Sequence, residues 1–154
     1  ILSESITKNT VSAKPEKVSK NWIYDYDECR RVAIEAAKEM HTKCATVDED
    51  VGNLSGGNMQ KVLLGKWLFA DPDILILDEP TRGIDVGAKY EIYCIINKMV
   101  AEGKSVILIS SEMPEVLGMS DRIYVMNEGR MVAEMDAKDA NQEKIMACII
   151  NSDK

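Results

Sequence analysis

The pattern of apolar positions predicts three long helices in the first two thirds of the chain. Apolar residues recur at helical spacing over residues 26–40, 57–69 and 86–101, and this spacing is typical of amphipathic helices. Asp25 or Asp27 can cap the first helix, which would pack through an alanine-rich face. The apolar stripe of the last helix comprises Ile92, Ile95, Ile96, Met99 and Val100.

Strands are predicted between and after these helices. Continuous apolar runs at 74–77 and 106–109 are typical of strands covered on both faces. A hairpin is predicted from strand 123–126, the turn Asn127-Glu128-Gly129-Arg130 and strand 131–135. Alternating strands and helices predict an α/β fold with a parallel sheet that is finished by an antiparallel hairpin. Two short helices complete the pattern, at about 114–119 and 141–150.

The first 24 residues show a weaker pattern. A short apolar start at Ile1, Leu2 and Ile6 is followed by a polar loop that runs to Lys20. No helix is predicted there, and the chain begins on Ile1 without a methionine. We expect the sequence to be a piece of a longer polypeptide.

Composition excludes several classes of function. Hydrophobic residues make up 45% and charged residues 29% of the 154 residues, which is typical of a globular protein. The formal net charge of −7 disfavours a broad electrostatic surface for nucleic acid. The four cysteines are scattered and His41 is the only histidine, which argues against a metal site of cysteine and histidine ligands. Since no apolar run is long enough to cross a bilayer, membrane association would require a partner protein.

The strand at 74–77 ends in two acids, Asp78 and Glu79. Ligands of α/β proteins bind at the carboxyl ends of parallel strands, so these carboxylates are candidate site residues. Asp78 suits a magnesium ion held through water, and Glu79 suits the polarisation of an attacking water. The alternative is a buried strand followed by an acidic turn at Pro80.

A second candidate site is the segment Leu54-Ser55-Gly56-Gly57-Asn58-Met59-Gln60. Two glycines allow an anion to approach the backbone closely, and the predicted helix directs its free N–H groups and positive dipole end toward that anion. Ser55 adds a hydroxyl donor. The alternative is a serine N-cap followed by a glycine turn.

The order and spacing of these motifs resemble the ATP-binding-cassette (ABC) family. Residues 54–60 match its signature motif, residues 74–79 match its Walker B motif, and Gly83, Ile84 and Asp85 match its D-loop. The resemblance implies a P-loop NTPase-like parallel sheet, truncated and lacking the phosphate-loop strand. It also implies a later part of the helical subdomain, with a linker, at 1–70 and the C-terminal part of the ATPase core at 71–154.

Three segments, 52–58, 78–89 and 110–117, resemble in their residue sequence the second cassette of bacterial monosaccharide importers of the ribose, galactose and xylose type. Two departures from the general ABC pattern concern the mechanism. No Gly-x-x-x-x-Gly-Lys-Ser/Thr loop occurs in the sequence, so we expect no ATP hydrolysis by this chain alone. Ser111 stands where most cassettes place the switch histidine, a replacement that sugar-importer second cassettes share.

The resemblance implies that Ser55, Gly56, Gly57, Asn58 and Gln60 bind a nucleotide held by another cassette. The implied ligands are ATP and Mg²⁺, neither expected to bind tightly to this chain alone. The implied partners are that second cassette, membrane permease subunits and, indirectly, a sugar-binding protein, at the cytoplasmic face of the membrane and without nucleic acid. The alternatives are a regulatory cassette that binds nucleotide without hydrolysis and an ABC ATPase of the DNA-repair type.

Several side chains are expected to serve packing or solubility only. Trp67, Met99 and Met126 are expected in the core or against the helical subdomain, as are Trp22, Tyr24 and Tyr26. Lys61 and Lys66 are expected to be solvated. The absence of the phosphate-loop strand would leave a gap between strands 106–109 and 123–126, which we expect to be poorly packed or filled by rearrangement, swapping or oligomerisation.

Overall fold

The computed structural model describes residues 1–20 and 23–151, which form two compact units. Among the described residues, the first unit lies within 1–75 and 80–106, and the second contains 76–79 and 107–151. None of the described helices is both long enough and apolar enough to cross a membrane. The helices are α1 Ile6–Val11, α2 Tyr26–Glu39, α3 Gly56–Ala70, α4 Val86–Ala101, α5 Met113–Met119 and α6 Gln142–Asn151. The strands are β1 Ser19–Lys20, β2 Ile23–Tyr24, β3 Ile74–Asp78, β4 Ser105–Ile109, β5 Arg122–Asn127 and β6 Arg130–Asp136.

Helix α1 of the first unit was not predicted from the sequence pattern, and neither were the two short strands β1 and β2. Ser5 caps it by accepting from the N–H of Lys8, and Ile6 is 1% exposed. The segment before the signature motif is hydrogen-bonded to this region: the N–H of Ile6 donates to the carbonyl of Glu49 at 3.0 Å and the N–H of Val51 donates to that of Glu4 at 3.1 Å. The core around α1 consists of Ile6, Ala33, Val47, Val51, Leu54 and Val62.

Helices α2, α3 and α4 lie where the apolar pattern predicted them. Asp25 caps α2 by accepting from the N–H of Glu28, and Ala33 on its alanine face is fully buried. Several packing predictions for this unit are wrong, among them those for Trp67, which is 42% exposed, and Val100, which is 45% exposed. Both residues lie just outside the buried stripe of their helix. The buried stripe of α3 includes Leu64 and Gly65, and that of α4 consists of Ile92, Ile95, Ile96 and Met99. Tyr24 and Tyr26 are exposed as well, and Trp22 lies outside the described residues.

Strands β3 and β4 form a two-stranded parallel pair. The N–H of Ser105 donates to the carbonyl of Asp73 at 2.9 Å, and at the other end the N–H of Glu79 donates to that of Ile109 at 2.9 Å. The prediction that both faces are covered is wrong. Alternate residues of each strand face solvent, including Ile76 at 66% and Ile107 at 53% exposure, because nothing in the described part of the chain packs on that face.

The second unit is built on the β5–β6 hairpin, as predicted. Asn127 pairs with Arg130 across a two-residue turn in which Glu128 and Gly129 have φ values of 46° and 75°, the left-handed conformations of a type I′ turn. The register of the hairpin shifts at a β-bulge between Val125 and Met126. The small core is formed by Ile123, Val125 and Ile145, whereas Met126 faces solvent at 63% exposure, contrary to prediction.

Among the described strands, the β3–β4 pair and the β5–β6 hairpin are separate sheets. This separation agrees with the predicted absence of a strand between β4 and β5. The fold is therefore α/β, with a two-stranded parallel pair followed by a separate antiparallel hairpin among the described strands.

Candidate functional site

The signature segment forms the start of α3, in the first unit. Ser55 is the N-cap residue, with φ −65° and ψ 156°, and its carbonyl accepts from the N–H of Met59 at 2.9 Å. Within the described part of the chain, no side chain caps this helix. Ser55 and Gly56 are exposed, so the N–H groups of the first turn and the positive end of the helix dipole face outward.

Asn58 holds the hydroxyl of Ser55 in place. Its Nδ2 donates to Ser55 Oγ at 2.9 Å, and its Oδ1 accepts from the backbone N–H of Lys43 at 2.9 Å. Ser55 is thus connected through one amide to the loop that follows α2. Sequence analysis assigned Asn58 to nucleotide binding and did not anticipate this connection.

Lys61 is buried, contrary to the prediction that it is solvated. Its side chain is 3% exposed, donates to the carbonyl of His41 at 3.0 Å and forms an ion pair with Glu91 of α4. These partners compensate the cost of burying an ammonium group. The hydrogen bond and the charge of Lys61 lower the pKa of Glu91 below its usual value.

The D-loop packs against the start of α3. A Cβ placed on Gly56 would lie 3.4 Å from Cγ2 of Ile84, and a Cβ on Gly57 would lie 2.6 Å from the Cβ of Ala88. Asp85 caps α4 by accepting from the N–H of Ala88 at 2.9 Å. Glycine is therefore required at Gly57 for close helix packing, in addition to any contact with an anion.

A cavity of about 330 Å³ lies beside the signature helix and the D-loop. Its lining includes Gly56 and Gln60 of the signature segment and Gly83 and Ile84 of the D-loop. Two cationic side chains, Lys66 and Arg82, line it as well. Leu63 adds an apolar wall. The cavity thus combines positive charge with the open end of α3, a combination that favours an anion.

The acidic pair lies in the second unit, at the end of β3. Asp78 is exposed. Glu79 has a left-handed backbone with φ 47°, and its Oε1 accepts from the backbone N–H of Ser111 at 2.9 Å. One carboxylate oxygen of Glu79 is therefore already hydrogen-bonded within the chain. Its donor is the backbone of Ser111, the residue that stands at the predicted switch position in place of a histidine.

A magnesium ion at such a site is held by waters and phosphate oxygens in addition to one or two carboxylates. In residues 1–20 and 23–151, no group of three acidic, histidine or cysteine side chains is arranged to hold a metal ion. The two carboxylates fit an ion whose remaining ligands are waters and the phosphates of a bound nucleotide.

Comparison with known proteins decides the family. The model of the family described as ABC transporter matches residues 3–82, more than half of the chain. The chain belongs to the ABC transporter family. The match contains the signature segment and the acidic strand, so the resemblance seen in the sequence motifs is confirmed.

Similar proteins include sugar-transport ATP-binding proteins. The cassette is 53% identical over 148 residues to the xylose import ATP-binding protein XylG of Geobacillus kaustophilus, covering 96% of this chain and 29% of that protein. It is 51% identical over 146 residues to the L-arabinose transport ATP-binding protein AraG of Geobacillus stearothermophilus, covering 95% of this chain and 28% of that protein. The cassette therefore spans less than a third of these relatives.

Solved structures show the same fold. The ADP conformation of MJ1267, an ATP-binding cassette of an ABC transporter, matches with a TM-score of 0.73 and 24% identity, covering 96% of this chain and 63% of that one. A dimeric post-hydrolysis structure of the cassette MJ0796, bound to ADP and Pi, matches with a TM-score of 0.74 and 22% identity, covering 89% and 58%. The α/β cassette architecture predicted from sequence is confirmed.

Proposed function

We propose that this chain is the signature-bearing part of the ATPase subunit of a bacterial monosaccharide importer, and that its signature completes an ATP site in another cassette. The observation that carries the proposal is the uncapped, exposed start of α3. In this site Ser55, Gly56 and Gly57 would donate hydrogen bonds to the phosphate end of ATP, and the helix dipole would favour its negative charge.

The relatives support the choice of a sugar importer. XylG and AraG are named as sugar-transport ATP-binding proteins, and the match to them extends over nearly the whole of this chain. On this proposal, the subunit couples ATP binding and hydrolysis to monosaccharide transport at the cytoplasmic face of the membrane. It docks on permease subunits that receive sugar from a binding protein.

We propose further that the signature segment and the acidic pair Asp78 and Glu79 have unequal roles in ATP turnover. Oε1 of Glu79 already accepts from the N–H of Ser111, so fewer of its carboxylate lone pairs are available to polarise a water. The signature has no comparable internal partner for its N–H groups in the described residues. On this proposal, substitutions in the signature lower the rate of ATP turnover more than substitutions in the acidic pair of the same chain.

The extents of the subdomains are also part of the proposal. We assign residues 1–70 to the helical subdomain with its linker and residues 71–154 to the ATPase core. The compact units divide the chain differently, since α4 groups with the first unit. Limited proteolysis of the chain, with mapping of the first cuts, would distinguish the two divisions.

A chimera tests the functional proposal. The corresponding segment of the Geobacillus kaustophilus XylG protein is replaced by this chain, and ATP turnover is measured with Ser55→Ala, Gly57→Ala or Glu79→Gln. Loss of a hydrogen bond to a charged group costs about 1.5–3 kcal/mol, so Ser55→Ala should lower turnover about 10- to 100-fold. Glu79→Gln should lower it by a much smaller factor.

The same assay separates the alternatives. Equal losses from Ser55→Ala and Glu79→Gln would contradict the unequal roles. Full turnover in both variants would favour a regulatory cassette. Hydrolysis or tight Mg²⁺–ATP binding by the chain alone, measured by calorimetry, would contradict the view that this chain supplies only part of a site.

A further inference from the structure

The side-chain amide of Asn58 lies between the signature serine and the loop after α2. Its oxygen accepts from the N–H of Lys43 and its nitrogen donates to Ser55 Oγ, both at 2.9 Å. The backbone N–H of Lys43 can only donate, so the amide oxygen must face it. This fixes the orientation of the amide, and the nitrogen necessarily faces Ser55.

The direction of the second hydrogen bond determines what Ser55 can do. A hydroxyl has one hydrogen to donate and two lone pairs to accept with. Because Asn58 donates to Ser55 Oγ, the serine uses a lone pair on that side and keeps its hydrogen for another acceptor. Asn58 thereby keeps the Ser55 hydroxyl available as a hydrogen-bond donor. An anion at the start of α3 requires such a donor.

The loop that orients Asn58 is itself fixed to α3. His41 adopts a left-handed backbone with φ 49°, and its carbonyl accepts from Lys61 Nζ at 3.0 Å. Asn58 and Lys61 are three residues apart and therefore lie on the same face of the helix. The loop 41–43 contacts that face at two points, one through a carbonyl and one through an N–H.

We infer that Asn58 is a positioning residue for the proposed site: it acts through Ser55, holding the serine hydroxyl as a hydrogen-bond donor toward a nucleotide phosphate. The inference rests on the proposed function. It replaces direct nucleotide contact by Asn58, and it makes the loop 41–43 part of the machinery that sets the signature geometry.

Asn58→Asp is the most informative variant. An ionised aspartate still accepts from Lys43 but cannot donate, so the hydroxyl of Ser55 must turn toward it and loses its hydrogen for the phosphate. Asn58→Ala removes both bonds and leaves the hydroxyl free to rotate. In the XylG chimera we expect Asn58→Asp to lower kcat about 10- to 100-fold, comparable to Ser55→Ala, and Asn58→Ala to lower it less.

Two controls isolate the mechanism. Asn53→Asp places the same charge on the exposed segment just before the signature and should leave turnover within about twofold of the parent, because surface charges act weakly. The double variant Ser55→Ala/Asn58→Asp should be no slower than Ser55→Ala alone, since Asn58 acts through a hydroxyl that is no longer present.

Hydrogen exchange on the 154-residue chain gives a readout that does not depend on turnover. The amide of Lys43 should stay protected in Asn58→Asp, where an acceptor remains, and should exchange faster in Asn58→Ala. If Asn58→Asp is too unstable to purify, Asn58→Ala tests the same coupling to Ser55.

The outcomes are distinguishable. If Ser55→Ala retains full turnover, the proposed function fails. If Ser55→Ala loses turnover but Asn58→Asp does not, the role of Asn58 is overturned and the proposed function stands. If Asn58→Asp lowers turnover further in the Ser55→Ala background, Asn58 acts independently of the serine and the inference is overturned.

Discussion

The contact between Gly57 and Ala88 predicts that a single methyl group at Gly57 destabilises the first unit. A Cβ there would lie 2.6 Å from the Cβ of Ala88, whereas carbon atoms in contact prefer about 3.5–4.0 Å. Helices α3 and α4 would have to separate by about 1 Å near their N-termini. Overpacking of this kind costs about 1–3 kcal/mol.

Helix propensity reduces that cost only slightly. Alanine is favoured over glycine by up to about 1 kcal/mol in a helix interior, and Gly57 lies in the first turn, where the gain is smaller. We therefore expect Gly57→Ala to lower the free energy of unfolding by about 1–2 kcal/mol. At about 2–4 °C per kcal/mol for a chain of this size, Tm should fall by about 2–8 °C.

Thermal unfolding followed by circular dichroism would check this, with a matched substitution and a rescue. Gly118→Ala is the same change in helix α5 at a position with no atom within 4 Å of the new methyl, and it should leave Tm unchanged or higher. Gly57→Ala/Ala88→Gly removes the colliding methyl and should recover stability to within about 1 kcal/mol of the parent. The reasoning is refuted if Gly57→Ala melts like Gly118→Ala, or if Ala88→Gly does not rescue it.

Three further predictions concern stability, each measured by chemical or thermal unfolding of the chain. Lys61→Met should cost about 1–3 kcal/mol, because it leaves the carbonyl of His41 without its charged donor; an unchanged midpoint would contradict the role of the buried ammonium. Glu91 has a depressed pKa in the folded state, so its contribution is present above its unfolded pKa and is lost as pH falls through the folded value. The deficit of Glu91→Gln at neutral pH should therefore begin to shrink below pH 4.5 and disappear at a pH below the folded-state pKa of Glu91, and a deficit that does not shrink with acid would refute the ion pair as its cause. Glu128→Asn should stabilise the hairpin by about 0.5–1 kcal/mol, since asparagine tolerates φ 46° better than glutamate does; no gain would indicate that the turn carries no strain.

The elements that sequence analysis predicted correctly are those with strong local signals. Helix α4 has the bounds 86–101 that its apolar stripe predicted, and the hairpin turn carries Gly129 where a positive φ is needed. The signature and acidic strand were identified by order and spacing, and the family match confirms that they belong together.

The features that sequence analysis missed depend on contacts between distant residues. Helix α1 is short and buries Thr7 and Thr10, so its apolar pattern is too weak to detect. The burial of Lys61 requires the carbonyl of His41 and the carboxylate of Glu91, which no local pattern brings together. The exposure of one face of β3 could not be predicted from its apolar run. Such a run shows that the side chains are hydrophobic, but it does not show which segment packs on each face of the strand.

The hydrogen bonds between the region of α1 and the segment before the signature bear on the entropy of the proposed nucleotide binding. Residues 47–52 are held by backbone bonds to residues 2–7, among them Gly52 N–H to the carbonyl of Leu2 at 2.8 Å. The chain entering α3 is thus ordered before any phosphate arrives. A loop that is already fixed loses little conformational freedom when it binds, so more of each new hydrogen bond remains as affinity.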